Sequence, residues 1–274
     1  MKKEIKKLFA GPFVGEFGWE LFCWQGHIRY LAQNKFNHTT VCCLKGHKLL
    51  YEDFANEIIE HEVLDFKPDG HINFGNNGNY PKPDSSFHYL GPHSERIPRY
   101  IPDIGVFDER YPQSFHSYKN ISKVPQVKVD FLINARSRIF TGRHKSSIRN
   151  LNSSKWNEIV DYLNRSGYLV ASIGLNDHSE HIENTLDLRG ITLSELSIYM
   201  SNAKAVLGPS SGPMHFAALC ETPVLVWSGT PYNKFRYENG WNPFKSSVIY
   251  LNGWKEIKPQ TIIQALENNL DLFQ

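Results

Sequence analysis

The sequence predicts an α/β protein built on open, doubly wound parallel sheets in two lobes, and three observations carry that expectation. Short apolar runs that read as buried strands alternate with amphipathic stretches of helical spacing, an order that implies parallel pairing through right-handed crossovers. Two strand-to-helix junctions, GPFVGEFGWE and GPSSGPMHFAAL, are rich in the Gly, Pro and Ser that tight turns and helix starts require. The chain has 274 residues, 41% hydrophobic and 13% aromatic, enough for two domains at about 100–150 residues each. The expected lobes cover 1–125 and 126–274, the first reduced and rich in loops.

The elements follow in order. Leu8, Phe9 and Ala10 form an apolar segment, the glycine-rich stretch comes next, and then Leu21, Trp24, Ile28 and Leu31 recur at helical spacing, giving strand, turn and helix. TTVCCL over 39–44 reads as a second buried strand and residues 62–66 as a third. Residues 67–124 turn to Gly, Asn, Pro, His and Tyr with little periodicity. Loops much beyond about 12–15 residues are uncommon in compact domains, and the aromatics argue against disorder, so an ordered, irregular surface is expected there. After Pro125 the rhythm returns with the strand VDFLIN, a helix over 154–164 and a strand over 168–173 closed by Gly174. Thr192 and Glu195 have the spacing of a capping box and start a helix reaching about Met200. A strand at Ala205, Val206 and Leu207, a helix of small residues and a strand over 223–227 follow. Pro259 opens a terminal helix bearing Ile262, Ile263, Leu266 and Leu270, which is open to packing back on the first lobe.

Bulk properties exclude several classes. Thirty basic against twenty-eight acidic residues give a net charge of +2, too balanced for a nucleic-acid or membrane-surface protein on charge alone. Cys23, Cys42, Cys43 and Cys220 show no C-x-x-C spacing, so neither zinc nor a disulfide framework is suggested and a reducing cytoplasm fits. No apolar run is long enough for a signal peptide or for the ~20 residues of a membrane span. The expectation is a cytoplasmic protein, with peripheral membrane association left open.

In open α/β sheets ligands sit beyond the carboxyl ends of strands. The turn after Leu207 occupies such a place: Ser210 and Ser211 offer hydroxyls, Gly212 admits a close ligand, and Pro213 suits a first helical turn whose N–H groups face forward. That arrangement suits a phosphate; the plainer alternative is a tight turn with a serine cap and nothing bound. Arg136 directly follows VDFLIN, where its planar fork can grip phosphate oxygens, and Arg138, Arg143, Lys145 and Arg149 follow in one loop that reads equally as a solvated basic segment. His178 and His181 are three apart, a pattern more often found on a surface than on a metal.

The runs INARSRIFTGRHKSSIRNLNSSKWNEIVDYLNRSGYLVASIG and LDLRGITLSELSIYMSNAKAVLGPSSGPMHFAALCETPVLVWSG resemble the C-terminal, nucleotide-sugar-binding domain of the heptosyltransferase-like (family 9-like) glycosyltransferases, over roughly residues 128–230. The resemblance implies the GT-B fold, two Rossmann-like lobes with a cleft between them. It matches Ser211, Gly212, Pro213, Met214 and His215 to the family's diphosphate-binding turn and sets Arg149 near its donor-phosphate basic residue. Where the family usually carries aspartate this chain has Ser210, so Ser210 joins the donor turn as a departure. His215 can reach the donor or simply pack between helix and sheet.

GPFVGEFGWE resembles the family's first glycine-rich turn, where an acidic residue after glycine serves as base; that position is Glu16, with Glu20 one turn on as the competitor. A carboxylate at a helix start can accept the proton of an attacking hydroxyl, or simply complement the helix dipole. Trp19, Trp24 and Gln25 nearby can meet a sugar, although Trp24 has core spacing. The implied activity is metal-independent, cofactor-free transfer of a hexosyl, heptosyl or fucosyl group from a nucleotide-diphosphate sugar to a hydroxyl acceptor, glycan or lipid-linked, in cell-surface glycan synthesis. An arginine after the first C-lobe strand together with a serine-bearing donor turn also resembles fucosyltransferase-like enzymes, which would make the donor a GDP-sugar. The rivals are a nucleotide-sugar epimerase of the same fold and a non-catalytic nucleotide or glycan binder.

Overall fold

A computed structural model describes residues 6–14, 16–61, 81–91, 93–94, 100–101, 106–138 and 146–273. The chain divides into two compact units, residues 1–116 and 117–274.

In the first unit, strands β1 (Lys7–Ala10), β2 (His38–Leu44), β3 (Glu57–His61) and β4 (Phe87–Leu90) form a parallel sheet in the order β3-β2-β1-β4. Leu8, Phe9, Val41, Cys42 and Cys43 are buried in it, which is why an unbroken apolar run rather than an alternating one marks β2. Between β1 and β2 the chain makes a helical turn at Phe17–Trp19, a π-helical turn at Glu20–Trp24 and helix α1 (Gln25–Asn34). Arg29 of α1 is almost wholly buried. It grips Asp53 bidentately, with Nε to Oδ2 at 2.8 Å and Nη2 to Oδ1 at 2.9 Å, and donates to the carbonyls of Leu50 and Ser114 at 3.1 Å each. A charge so deep is tolerated because its donors meet acceptors, and it pins the segments around residues 50 and 114 to one helix.

Two expectations change here. Residues 62–66 lie outside the described residues, and the third strand is the segment just before them, β3. Within the stretch read as irregular, Phe87–Leu90 pairs in register with all of β1. Four half-buried or exposed residues at a sheet edge are too few to display a period.

The second unit carries β5 (Phe131–Ile133), α2 (Ser153–Arg165), β6 (Val170–Ser172), β7 (Leu186–Asp187), α3 (Leu193–Asn202), β8 (Ala205–Pro209), α4 (Gly212–Leu219), β9 (Val224–Ser228), α5 (Pro231–Glu238), β10 (Val248–Asn252) and α6 (Pro259–Glu267). All six strands are parallel in the order β7-β6-β5-β8-β9-β10, the doubly wound pattern that alternating strands and helices require. The Asn152 side chain caps α2 by accepting from the Lys155 N–H, and Trp156, Ile159, Val160 and Leu163 bury its inner face. The rings of Trp156 and Trp227 meet at 5.5 Å in the core. The capping box at Thr192 and Glu195 is complete. Terminal helix α6 packs on α2 inside its own unit. Helix α5 and strand β10, unread in the sequence, complete the sheet's far edge. All four cysteines are buried free thiols, and among the described residues no helix is long and apolar enough to cross a membrane.

Candidate functional site

In the second unit the strand ends are tied together by short polar side chains. Asn134, just past β5, donates from Nδ2 to the Ile173 carbonyl at 3.0 Å and accepts at Oδ1 from Ser211 Oγ at 3.0 Å. Gly208 makes this approach possible, since a Cβ there would press on both Asn134 and Met214. Buried Ser210 is reached by the Tyr237 hydroxyl at 3.2 Å and by Asn233 Nδ2 at 3.4 Å, and the same amide donates to Ser228 Oγ at 2.8 Å. Ser211 stands at the N-cap of α4 without making a side-chain capping bond, and Pro213, which has no N–H, sits in the first helical turn. Ser211, Gly212 and Pro213 are half-buried, Met214 fully buried.

His215 lies under this turn, 9% exposed, stacked on Tyr237 at 5.3 Å and meeting the edge of Trp241 at 4.5 Å. Burial, reinforced by the charges of Arg149 and Arg236, pushes its pKa down to about 3. The imidazole is therefore neutral near pH 7 and the positive charge around it belongs to the two arginines. Each guanidinium lies over an indole, Arg149 on Trp254 and Arg236 on Trp241, both at 5.1 Å. Burial likewise holds the Tyr237 hydroxyl well above its usual range, against its bonds to Ser210 and Ser211.

Arg136 has a different setting. It is 7% exposed, and its Nη1 donates to Asn150 Oδ1 at 2.5 Å and to the Arg138 carbonyl at 3.3 Å. Asn150 Nδ2 returns to the same carbonyl at 3.0 Å, so Arg136 and Asn150, next to Arg149, are tied together through Arg138. Arg143 and Lys145 lie outside the described residues. His178 is depressed by burial and by Arg138 and Arg136, while His181 bonds the Thr185 carbonyl at 3.0 Å. Among the described residues no group of three or more His, Cys, Asp or Glu is placed to hold a metal ion.

In the first unit the glycine-rich turn leaves β1 through Gly11, whose φ of +108° and close approach to the Cys42 carbonyl exclude a side chain. Glu16 stands at the N-cap of the helical turn, half-buried, its carbonyl taking the N–H groups of Trp19 at 2.9 Å and Glu20 at 3.2 Å, while its side chain makes no capping bond. Glu20 is 1% exposed and both its oxygens are engaged, Oε1 by the Tyr51 hydroxyl and Oε2 by His47 Nδ1, each at 2.7 Å. Trp24 and Gln25 are buried, Trp24 against Phe13 at 5.9 Å and Gln25 donating to the Leu21 carbonyl at 2.7 Å, so both pack; Trp19 is half-buried.

No protein-family model matches the sequence, and no curated protein matches it. Among solved structures, a family 9 glycosyl transferase from Veillonella parvula superposes with a TM-score of 0.60 at 11% identity, covering 100% of this chain and 98% of that one. The ADP-heptose LPS heptosyltransferase II of E. coli gives 0.59 at 15% identity over 98% of both chains. The chain has the GT-B glycosyltransferase fold. The dodecameric iron-containing heptosyltransferase TibC, solved with ADP-D-β-D-heptose, is also similar, at TM-score 0.55 and 16% identity over 94% of this chain and 65% of that one.

Within this GT-B fold the structure gathers Ser210, Ser211, His215 and Arg149 around α5, and places Arg136 against Asn150. Sequence reasoning missed Asn134, Asn233, Arg236, Tyr237, Trp241 and Trp254. A signal existed for part of that set: Asn233, Arg236 and Tyr237 follow a Thr-Pro helix start at i, i+3 and i+4, one face of a helix. His47 gave none, because its partner Glu20 is 27 residues away.

Proposed function

We propose that the protein is a glycosyltransferase that moves a sugar from a nucleotide-diphosphate donor to a hydroxyl acceptor. The observation that carries this reading is the start of α4, which Ser211 leaves without a side-chain cap, with a neutral imidazole in its first turns that feels the charges of Arg149 and Arg236. When the glycosidic bond breaks, the diphosphate leaves with added negative charge. Helix N–H groups and arginine forks fixed in place stabilise that charge without reorganising. In this reading Ser211, Gly212 and Pro213 face the diphosphate, Ser210, Met214 and His215 support the turn from below, and Arg149 contacts the phosphates. Arg136 serves the donor by holding Arg149's loop. The charge is met by these groups without a metal ion or cofactor.

The acceptor is assigned to the first unit, where Glu16 at the turn after β1 meets its hydroxyl. The fold shared with an LPS heptosyltransferase supports a lipid-linked or polysaccharide acceptor in cell-surface glycan assembly, reached from the cytoplasm by peripheral association with the membrane. ADP-heptose is the first donor to try, as the sugar nucleotide held by TibC, and GDP-fucose the second.

A thermal-shift titration with ADP-heptose, GDP-fucose and UDP-glucose tests the donor site. A ligand of the folded state stabilises by about 2.7 kcal/mol at a hundredfold excess over its dissociation constant. Stabilisation of the wild type by one sugar nucleotide and its loss in Arg149→Ala is the expected result. No stabilisation by any of the three, nor by ADP, GDP or UDP, would remove the basis of the proposal.

A further inference from the structure

Glu20 poses a question that donor binding does not answer. A carboxylate with 1% exposure is costly unless something requires it, and here both oxygens are spent within the first unit, on Tyr51 and His47. The bond to His47 is the informative one. His47 follows the carboxyl end of β2, on the strand adjacent to β1, and its ring meets Phe17 of the glycine-rich turn at 5.3 Å. Its Nδ1 is fixed on the buried carboxylate. Among the described residues no hydrogen bond is made by Nε2, and the side chain keeps 23% of its surface. A carboxylate that orients one ring nitrogen and leaves the other at a strand's carboxyl end is the arrangement by which an imidazole becomes a proton acceptor of fixed tautomer and direction.

We propose that His47, oriented through Nδ1 by Glu20, accepts at Nε2 the proton released by the acceptor hydroxyl; His47 is then a catalytic residue and Glu20 a positioning residue. The inference rests on the glycosyltransferase reading. As the acceptor oxygen bonds to the anomeric carbon, the bond from that carbon to the diphosphate oxygen breaks and its electron pair leaves with the nucleotide. The hydroxyl proton passes to Nε2, and the imidazolium, neutralised by Glu20, returns it to water. Glu16 holds the hydroxyl in this scheme. The charged groups acting on the ring are Glu20, whose other oxygen is held by Tyr51, and Glu60 of β3, which also takes the N–H of Gly46 at 2.8 Å. Burial opposes protonation, but the charge and hydrogen bond of Glu20 outweigh it, with Glu60 adding, so the ring titrates above its ordinary value.

The test uses the full chain with ADP-heptose, following binding by thermal shift and ADP release with water as the acceptor across pH. Expected are unchanged ADP-heptose binding in His47→Gln and a fall in turnover of about a hundredfold or more. Glu20→Gln should move the acidic limb of the wild-type profile to lower pH, and His47→Gly should regain turnover on addition of free imidazole, which a purely structural role would not permit. Tyr51→Phe, which keeps the His47 bond, should retain the limb and so controls for damage to the fold. The inference is overturned if His47→Gln binds ADP-heptose and turns it over as the wild type does, or if the acidic limb follows Glu16→Gln and ignores His47. Failure of the wild type to bind any sugar nucleotide would instead bring down the glycosyltransferase reading beneath it.

Discussion

His47 and His215 both follow the carboxyl end of a parallel strand, one in each unit, and their surroundings drive them in opposite directions. His47 has Glu20 on Nδ1 and keeps part of its surface, so its positive form is favoured. His215 is closed in by Tyr237 and Trp241 with Arg149 and Arg236 nearby, and its positive form is expelled. The same side chain is thus a titrating group in one unit and a neutral ring in the other. Burial disfavours the charged form of both rings; in His215 it is the leading cause and two arginines add to it, while in His47 one buried carboxylate outweighs it.

The comparison breaks most visibly if the wall around His215 is removed. Trp241→Ala should cost about 3–5 kcal/mol in urea unfolding, the range for truncating a buried aromatic, and should let the His215 pKa climb toward that of a solvated imidazole. The next effect is on acid stability. The unfolded His215 takes a proton near pH 6.5 and the folded one only near 3, so this residue destabilises the fold as pH falls between those values. The slope is about 1.4 kcal/mol per pH unit, and His215→Phe should flatten it in unfolding curves taken from pH 6.5 to 4.5.

His47 should show the reverse sign. A histidine raised in the folded state stabilises fully below its unfolded pKa and loses that contribution as pH rises through the folded one. His47→Gln should therefore cost about 2 kcal/mol at pH 6, the scale of a hydrogen bond to a charged group, and much less at pH 9. If the gap between variant and wild type were the same at both, Glu20 would not be acting through charge. The smallest effect is expected from Ser211→Ala, about 1 kcal/mol for its bond to Asn134, with the strand framework otherwise intact.

What the sequence revealed follows the range of the interactions involved. The strands at Ala205 and Val224, the capping box at Thr192 and the helix carrying Trp156 were legible because each is specified within a dozen residues. The turn at Ser210 and Ser211 was legible as a place, since Gly and Pro punctuate it. Its supports were not, because Asn134 reaches Ser211 across 77 positions and Tyr237 reaches Ser210 across 27. Edge strand Phe87–Leu90 escaped because parallel pairing leaves no mark in a four-residue segment without a buried face. Arg136 reads as a ligand-gripping fork from its position after β5. Its engagement with Asn150, 14 positions on, is a tertiary contact that local pattern does not encode.

The π-helical turn at Glu20–Trp24 has a further consequence. Such a turn holds one residue more than an α-helical turn would, and each α-helical residue advances the face by about 100°. Removing a single residue there would let the helix run on unbroken while swinging Glu20 out of reach of His47. A lineage could discard the histidine's anchor through one codon deletion and keep its fold. The length of this short segment, more than the identity of any one residue in it, is then the character to compare among distant members of the fold when asking which of them retain the pair.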